Sequence, residues 1–480
     1  MIARLVLSEL RHRPGRVLFL LVGYAFGVAV MVVLLSVGEA MLSQARDRSL
    51  VGGGDVLLVP TGISPEMIRA GGATSLFLRI SQARFVQRQV LESPRGREDF
   101  GIVAASPIID GRLIEVSRGD VTARAIASGE IPSRAAAAGA SPHLLAGQWS
   151  DSEADQAWAS PTRDELLHEI DAFHMPYGSA VGDSSWGEWH YFNVVLDDDR
   201  WLYLTFLLGG RVGTEGEWGG RLMLTLRDPT TGYRNLSRDI SPSSIRFDTL
   251  SADLTLDDNA FVRIENGSYR IRAAVGGADV DLEVRPLPNR FFPPAALGGP
   301  ETVSGYAVPA IAARAQGRVC LPTVGGTRCE DVSDARAYHD HNWGVWQDVA
   351  WDWGAASDDQ VSLLYGAVRG PGVPEQGLFV YLVDSRGVRG LYRPSSIERS
   401  GSRTISTPAG DVDVPTTLRF RDARRGLEVT IDLEDHQVTD MERDVDRFFV
   451  QAAGVATVTE LGEPPRWLRG FFEVYVDGRP

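Results

Sequence analysis

Short runs of branched and aromatic residues, separated by turn residues at close intervals, fill the chain from residue 186 onward. Residues 261–271 show the pattern most clearly, because apolar and polar residues alternate on both sides of Asn266-Gly267, a dipeptide typical of tight β-hairpins. Helical periodicity is not kept for long anywhere in this region. The spacing predicts antiparallel sandwiches or barrels, and the length of the region favours two consecutive barrels over one.

An uncharged apolar run extends from Val17 to Gly38. It is long enough to cross a bilayer as a helix, which takes about 20 residues. Four arginines precede the run against a single glutamate, so the positive-inside rule places the N-terminus in the cytoplasm. We expect a single-pass protein of the inner (cytoplasmic) membrane whose main domain is periplasmic or extracellular. A cleaved signal peptide is the alternative, because Ser36-Val37-Gly38 fits the small residues of a cleavage site.

The overall charge excludes one class of partner. The formal net charge is −15 at pH 7 and the pI is near 5.1. Such a chain repels the phosphates of nucleic acids. Apolar residues make up 44% and charged residues 23%, which is typical of a folded globular protein. We therefore expect a folded protein with no nucleic-acid partner.

The region between the apolar run and the β-rich part has a mixed character. Residues 50–125 combine short β-like runs with an amphipathic helix near residues 81–91, and small and acidic residues between 136 and 156 predict a linker. The predicted order of parts is a cytoplasmic arm (1–16), a transmembrane helix (17–38), an extracytoplasmic segment with its linker (39–160), a first barrel (161–330) and a second barrel (331–480).

The chain has two cysteines, Cys320 and Cys329, on either side of the turn residues Gly325-Gly326. If the flanking runs pair as strands, the two cysteines face each other across the hairpin. A disulfide persists outside the cytoplasm, where the apolar run would place this region. We therefore predict a Cys320–Cys329 disulfide.

Two clusters, at residues 184–192 and 337–346, hold most of the unusual polar and aromatic residues. Side chains alternate along a strand, so the odd-numbered residues from 339 to 343 would share one face and the even-numbered residues from 338 to 342 the other. Buried polar groups need partners, which predicts that the two clusters meet at one buried polar site opening on an apolar cavity. The first barrel would supply Glu188, Trp189 and Tyr191, and the second His339, Asp340, His341 and Trp343.

Other interpretations of the second cluster stay open at this point. A hydrogen-bonded structural knot at a strand junction has the same residues. Zinc is a third interpretation, since two histidines and a carboxylate are a known ligand set, but the sequence indicates no third ligand, and His174 and His190 are merely available. We therefore expect no metal and no cofactor. The chain also has no G-x-S-x-G elbow, no Walker A motif and no dinucleotide fingerprint.

The same two clusters resemble the carotenoid 1,2-hydratases (hydroxyneurosporene synthases) and their AttH-like, lipocalin-like relatives. Residues 188–192, Glu-Trp-His-Tyr-Phe, are similar to that family's E-W-W-Y strand, and residues 338–344, Tyr-His-Asp-His-Asn-Trp-Gly, are similar to its most distinctive motif. The resemblance covers residues 165 to 478. It implies a mainly β chain of two tandem lipocalin-like antiparallel barrels with an apolar ligand site.

The resemblance also implies roles for individual residues. Hydration of an alkene needs an acid to protonate it and aromatic faces to stabilise the cation. The family's acid is thought to lie on a strand with a tyrosine, and residues 363–368 keep that tyrosine, Tyr365, but lack the carboxylate, so Asp340 is the alternative acid. The implied catalytic set is Asp340, His341, His339 and Tyr365, and the implied ligand-binding set is Glu188, Trp189, Tyr191, Trp343 and Trp346.

The N-terminal part resembles the start of FtsX/MacB-type permeases of ABC exporters. The resemblance lies in residues 11–16, in residues 34–39 and in residues 53–60, and it covers about the first 115 residues. Such permeases carry three further spans near their C-terminus, which this sequence does not have. The resemblance therefore implies an exporter-associated or exporter-derived segment without transport activity, with ABC exporter subunits as candidate partners.

Two functions follow from these observations. The leading one is a membrane-anchored extracytoplasmic protein that binds an apolar small molecule, such as a lipid or an isoprenoid, beside an ABC exporter. The alternative is a hydratase or cyclase acting on an isoprenoid or polyene, with Asp340 as the proton donor. A raised pKa on a carboxyl group facing the ligand site would favour the enzyme.

Overall fold

The computed structural model describes residues 14–50, 56–58, 80–119, 121–139, 150–196, 199–296, 304–323, 325–346, 349–370, 373–408, 410–442 and 447–477. The chain divides into two compact units. The first unit comprises residues 1–78 and 103–152, and the second comprises residues 79–102 and 153–480.

The described helices are few. They are α1 (Pro14–Leu50), α2 (Ile80–Phe85, continued by a π-helical segment, Val86–Leu91), α3 (Pro94–Glu98), α4 (Pro132–Ala137), α5 (Glu153–Ala159) and α6 (Arg163–Asp171). The predicted amphipathic helix near residues 81–91 is present as α2 and its continuation. It belongs to the second unit, where the Gln89 side chain donates a hydrogen bond to the carbonyl of Phe291 at 2.9 Å.

The first unit contains α1, α4 and an antiparallel hairpin of β1 (Ile108–Arg118) and β2 (Val121–Glu130). Among the described residues, α1 alone is long and apolar enough to cross a membrane, over Pro14–Val37. That stretch is not buried against the rest of the described chain. The predicted N-terminal apolar helix is therefore confirmed, and both a membrane span and a signal sequence fit it.

The second unit is built on two curled antiparallel sheets. Within the described residues, the first has twelve strands and the order β6-β5-β4-β3-β14-β13-β11-β10-β9-β8-β7, with β12 also paired to β13. Its strands are β3 (Trp186–Val195), β4 (Trp201–Gly210), β5 (Trp218–Asp228), β6 (Gly232–Ile240), β7 (Arg246–Phe247), β8 (Leu254–Asp257), β9 (Ala260–Glu265), β10 (Ser268–Val275), β11 (Ala278–Pro286), β12 (Phe292–Ala296), β13 (Gly305–Thr323) and β14 (Gly326–Val345).

The second sheet has nine described strands in the order β18-β17-β16-β15-β25-β24-β23-β22-β19. They are β15 (Ala350–Ser357), β16 (Val361–Gly370), β17 (Val373–Asp384), β18 (Gly387–Tyr392), β19 (Glu398–Ser400), β22 (Thr417–Asp422), β23 (Leu427–Glu442), β24 (Arg447–Glu460) and β25 (Arg466–Asp477). A separate hairpin joins β20 (Arg403–Thr407) to β21 (Gly410–Val414). The predicted mainly β fold with two half-barrel sheets is confirmed.

Two local predictions are also confirmed. Asn266 and Gly267 form the two-residue turn between β9 and β10, and both have positive φ angles, 54° and 72°, as a type I′ hairpin requires. Cys320 and Cys329 lie directly opposite each other on β13 and β14 and are joined by a disulfide, with their Cα atoms 3.9 Å apart.

The boundary between the two sheets differs from the predicted one. The second barrel was expected to start at residue 331, but β14 runs on to Val345 between β3 and β13, inside the first sheet. The second sheet begins at Ala350. The predicted hairpin at Gly325-Gly326 is present, and its second strand, β14, continues beyond the expected boundary. His339, Asp340, His341 and Trp343 therefore belong to the first sheet.

Three groups of buried side chains hold the second unit together. One fills the inside of the first sheet and another fills the inside of the second. The third lies between the sheets, where aromatic side chains from both meet; it includes Tyr191, Tyr203 and Tyr338 from the first sheet and Trp353, Phe379 and Phe471 from the second. The two faces of β3 and β14 thus point into two different interiors.

Candidate functional site: two polar clusters on opposite faces of one strand pair

β3 and β14 are antiparallel neighbours in a register that places His341 opposite His190 and Asp340 opposite Tyr191. Successive side chains on a strand point to opposite faces of the sheet. One face of this pair looks into the first sheet, and the other looks towards the second sheet. Each face carries a polar cluster. We call the inner set, Asp171, Glu188, His190, His339 and His341, the histidine cluster, and the outer set, Tyr191, Tyr338, Asp340, Asn342, Trp351, Trp353, Gln451 and Glu473, the carboxyl cluster.

Asp171 is the centre of the histidine cluster and the last residue of α6. The helix starts at a capping box, in which Thr162 and Glu165 satisfy each other's backbone amides. Leu167 and Ile170 anchor it in the first core. The helix thereby places the fully buried Asp171 carboxylate in an otherwise apolar interior.

Three histidines point one ring nitrogen at Asp171. The distances from its carboxylate oxygens are 3.1 Å to Nε2 of His339, 2.9 Å to Nδ1 of His341 and 3.7 Å to Nδ1 of His190. The first two are hydrogen-bond distances and the third is longer. Asp171 therefore joins β3 and β14 to α6 from inside the sheet.

The opposite ring nitrogen of each histidine faces another acceptor oxygen. Nδ1 of His339 lies 3.0 Å from the carbonyl of Tyr191, and Nε2 of His190 lies 3.0 Å from the carbonyl of Ala252. Nε2 of His341 lies 3.0 Å from the Glu188 carboxylate, which also accepts the backbone N–H of His174 at 2.6 Å. Both ring nitrogens of each histidine therefore face an oxygen atom, and these contacts fix the orientation of the ring.

Charge pairing dominates the electrostatics of this cluster. Burial alone would lower the pKa of His341, but the carboxylates of Asp171 and Glu188 outweigh it and raise that pKa to about 10. Burial works against the charged forms of the two carboxyls, yet the histidines hold both pKa values below their usual range. Burial pushes the pKa of His190 well below its ordinary value. His341 is therefore held between two carboxylates.

The histidine cluster is closed. Its five side chains are 0% exposed, and rings cover them: Phe192 stacks on His339 at 4.0 Å between centroids, and Phe173 packs against His190. A substrate has no route to these groups in this conformation. The arrangement suits a structural ion-pair network, and Asp171, His190 and His341 also offer ligand atoms that all lie within 4.8 Å of one another, as a metal ion requires.

Asp340 lies on the other face of β14, in the carboxyl cluster. One carboxyl oxygen accepts a hydrogen bond from the Tyr338 hydroxyl at 2.7 Å, and the other accepts one from the Asn342 amide at 2.7 Å. The Tyr338 hydroxyl in turn accepts the indole N–H of Trp353, from the second sheet, at 2.9 Å. Asp340 is thus held by a chain of donors that crosses between the sheets.

A second carboxyl group, Glu473 on β25, enters the same cluster from the second sheet. Its oxygens accept hydrogen bonds from the Gln451 amide at 3.0 Å and from the indole N–H of Trp351 at 2.9 Å. The Gln451 amide also lies 3.2 Å from the hydroxyl of Tyr191. Residues of both sheets therefore build this cluster.

Burial raises the pKa of both carboxyl groups. Burial raises the pKa of Asp340 to about 8 against the hydrogen bond from Tyr338, and the charge of Glu473 adds to the rise. Burial also raises the pKa of Glu473, against its hydrogen bonds from Gln451 and Trp351. A buried carboxylic acid with a hydrogen-bonded conjugate base is a group that can give up a proton during a reaction.

Aromatic side chains connect the carboxyl cluster with the surface. Trp351, which donates to Glu473, packs edge-on against Trp346 at 5.7 Å, and Trp346 packs against Trp189 at 5.1 Å. These three tryptophans are partly exposed. Asp340 and Glu473 are 5% and 8% exposed, whereas the histidine cluster is 0% exposed. Of the two clusters, the carboxyl cluster is therefore the less deeply buried one.

The sequence-predicted residues are divided between the two faces. Glu188, His339, His341 and Trp343 point inward, where Trp343 stacks on His174 at 3.5 Å between ring centroids. Asp340 and Tyr191 lie in the carboxyl cluster, and Trp189 and Trp346 pack against each other beside it.

The expectation of a single site is thus corrected to two. β3 and β14 do meet, as predicted, but side-chain alternation separates the histidines from Asp340, so that His341 influences Asp340 only weakly, through the strand. Tyr365 lies in neither cluster and packs inside the second sheet against Phe420 at 5.0 Å.

Sequence reasoning missed Asp171, Gln451 and Glu473. Asp171 is the last residue of a helix whose capping box can be recognised in the sequence. Its hydrogen-bond partners His339 and His341 lie about 170 residues away, and no motif links them to it. Gln451 and Glu473 interrupt apolar stretches of two strands near the C-terminus, residues 448–456 of β24 and residues 470–476 of β25. The signal present in the sequence for Glu473 is a carboxylate in the middle of an apolar strand pattern.

Comparisons with known proteins give structural likeness alone. No family model matches the chain, and no curated protein matches it. Similar solved structures are an AttH-like protein from Nitrosomonas europaea (20% identity, TM-score 0.45, 60% of this chain and 92% of that chain), CghA with Sch210972 (13%, 0.43, 61% and 88%) and kievitone hydratase from Nectria haematococca (12%, 0.43, 64% and 94%). The permease resemblance of the N-terminal part finds no support in these comparisons.

Proposed function

We propose that this chain is an enzyme that protonates a carbon–carbon double bond of an apolar isoprenoid or polyene, in the manner of a hydratase or a cyclase, at the carboxyl cluster. The observation that carries the proposal is the pair of buried carboxyl groups, Asp340 from the first sheet and Glu473 from the second, which belong to one cluster between the sheets. The partly exposed Trp189 and Trp346 pack beside this cluster, in a row with its Trp351. The proposal favours the enzyme over the binding module that the sequence suggested first.

Asp340 is the proton donor in this proposal. Its O–H bond breaks as the proton adds to one alkene carbon, and the neighbouring carbon becomes a tertiary cation. The carboxylate that remains is stabilised by the hydrogen bonds from Tyr338 and Asn342, which are already in place. The indole faces near Glu473, such as Trp351, are suited to stabilise the cation.

The cation has two ways to react, and each returns a proton to Asp340. In a hydratase, water adds to the cation and the extra proton of the new C–OH2 group passes to the Asp340 carboxylate, which gives a tertiary alcohol. In a cyclase, a second double bond of the same molecule attacks the cation, and a C–H proton next to the new cation passes to Asp340. Glu473, with Gln451 and Tyr191, lines the same space and orients water or the cation.

A carrier is the second candidate. The partly exposed row of Trp189, Trp346 and Trp351 favours it, because such a row binds an apolar molecule without changing it. Native mass spectrometry of protein extracted gently from its host distinguishes the two candidates. An unaltered apolar ligand, combined with no turnover of any alkene, would favour the carrier.

The proposal includes a place outside the cytoplasm. The apolar stretch Pro14–Val37 of α1 supports membrane anchoring, and the Cys320–Cys329 disulfide supports an oxidising compartment. The cytoplasmic N-terminus rests on the arginines before the helix, and association with ABC exporter subunits rests on the N-terminal motifs alone. Protease digestion of intact spheroplasts tests the orientation, because the sheets should be accessible to the protease.

Turnover of alkenes by the full-length protein in detergent tests the activity. Terminal isoprenoid alkenes and linear polyenes are incubated with the wild type, with Asp340→Asn and with the matched control Tyr203→Phe. We expect Asp340→Asn to slow product formation by about 10²–10⁴-fold, the range of general-acid catalysis. Tyr203 also lies between the sheets, but its hydroxyl has no hydrogen-bond partner among the described residues, so its loss should leave the rate unchanged. Equal rates for the wild type and Asp340→Asn would remove Asp340 as the acid.

A further inference from the structure

We propose that the histidine cluster binds one divalent transition-metal ion, for which zinc is the best fit, through the carboxylate of Asp171 and the Nδ1 atoms of His190 and His341. The ligand atoms of these three residues all lie within 4.8 Å of one another. They come from three separate elements, α6, β3 and β14. This site is independent of the alkene chemistry proposed for the opposite face of β14.

His190 gives the first reason for a metal. Its Nδ1 is fully buried and has no hydrogen-bond partner among the described residues, and it points towards a carboxylate oxygen of Asp171, 3.7 Å away. Its Nε2 carries the proton, because that nitrogen faces the carbonyl of Ala252 at 3.0 Å. The lone pair of Nδ1 is then directed at the Asp171 carboxylate, and a cation between the two atoms would satisfy both.

The outer contacts of the ligands give the second reason. Histidines that bind metals almost always donate their other ring N–H to a carboxylate or a backbone carbonyl, which orients the ring. His190 faces the carbonyl of Ala252 in this way, and Nε2 of His341 lies 3.0 Å from a carboxylate oxygen of Glu188. His339 holds the Asp171 carboxylate from another side at 3.1 Å. The ligands are therefore oriented as in a metal site before any ion is considered.

The charge and burial of the site indicate which kind of metal site it is. Asp171 and Glu188 place two carboxylates in an apolar interior, and a divalent cation balances them there. Two imidazole nitrogens and one carboxylate oxygen are ligands that suit zinc. Since all of these side chains are 0% exposed, the ion would be structural. It would join α6 to the strand pair that carries Asp340 on its other face.

Metal analysis of the full-length protein tests this inference. The protein is purified in detergent through a peptide tag that does not bind metal, and its metal content is measured by mass spectrometry of the elements. We expect close to one zinc per chain. We also expect a chelator to lower the thermal midpoint and added Zn²⁺ to restore it.

His190→Ala is the test variant, and His436→Ala is its matched control. His436 is also a buried histidine with Nε2 on a carbonyl, that of Pro415 at 2.9 Å, and with no partner for Nδ1 among the described residues, but it lies in the second sheet. We expect His190→Ala to lose the zinc and His436→Ala to keep it. Retention of zinc by His190→Ala would overturn the ligand assignment.

The wild type decides the matter if His190→Ala does not fold. A wild-type protein that carries no transition metal, takes up no added Zn²⁺ and keeps its thermal midpoint with and without chelator would overturn the proposal. In that case the cluster is a metal-free network of buried histidines and carboxylates. These measurements use no alkene substrate, so their failure is distinguishable from failure of the proposed activity.

Discussion

Replacing Asp171 by alanine should destabilise the second unit strongly. Asp171 accepts hydrogen bonds from His339 at 3.1 Å and from His341 at 2.9 Å, and all three side chains are fully buried. Hydrogen bonds to charged groups contribute about 1.5–3 kcal/mol each, and removing one partner of a buried ion pair costs about 3–5 kcal/mol. We expect a loss of about 3–5 kcal/mol for Asp171→Ala. Asp171→Asn should lose less, because its amide oxygen still accepts one of the two hydrogen bonds.

Urea unfolding of the full-length protein in detergent, followed by tryptophan fluorescence, measures this loss. The matched control is Asp239→Ala, which removes a carboxylate from a surface ion pair with Arg221. Exposed pairs of this kind contribute little, so the control should leave the unfolding midpoint unchanged. If Asp171→Ala moved the midpoint no further than Asp239→Ala, the inner face of β14 would not be held together by this carboxylate.

Three further predictions concern other parts of the molecule. Breaking the disulfide with Cys320→Ser should lower the free energy of unfolding by about 2–3 kcal/mol, the loop-closure value for its sequence separation of 9. It should not change alkene turnover, and a loss of turnover by the folded variant would contradict this. Tyr338→Phe should reduce alkene turnover, because it removes the donor to Asp340 and leaves the Trp353 indole without its acceptor, and an unchanged rate would show that this donor chain does not act. Burial raises the pKa of Glu473 above its ordinary 4.5, so the stability that its protonated form contributes is complete below pH 4.5 and is lost as the pH rises through the folded-state pKa. The thermal midpoint of Glu473→Gln should therefore rise relative to that of the wild type as the pH increases. A difference between the two midpoints that does not change with pH would contradict the raised pKa.

Local patterns in the sequence predicted local structure well. The Asn266-Gly267 dipeptide has positive φ at both positions and forms the expected hairpin, since few other residues adopt that conformation readily. The two cysteines face each other because strand pairing across a short turn places them in register. Side-chain alternation along β14 was predicted from residues 338–343 alone, since it follows from strand geometry.

Long-range pairing was beyond such reasoning. The hairpin at Gly325-Gly326 was predicted, but nothing in the sequence shows how far β14 extends or which strand pairs with its other edge, so residues 331–345 were assigned to the wrong sheet. Alternation also implies that the histidines and Asp340 serve different interiors, but without the partner elements a single site was the simpler hypothesis. Asp171 and Glu473 complete the two clusters from distant parts of the chain, and one carboxylate in an apolar segment carries no information about its partners.

Deuterium incorporation tests the central claim most directly. The full-length wild type and Asp340→Asn are each incubated with isoprenoid alkenes in D2O, and the products are analysed by mass spectrometry and NMR. If Asp340 protonates a double bond, the wild-type product, whether alcohol or ring, carries one carbon-bound deuterium from the solvent, and Asp340→Asn yields little or none of it. Alkene that binds and is recovered unchanged, without carbon-bound deuterium, would contradict the account and leave the chain as a carrier.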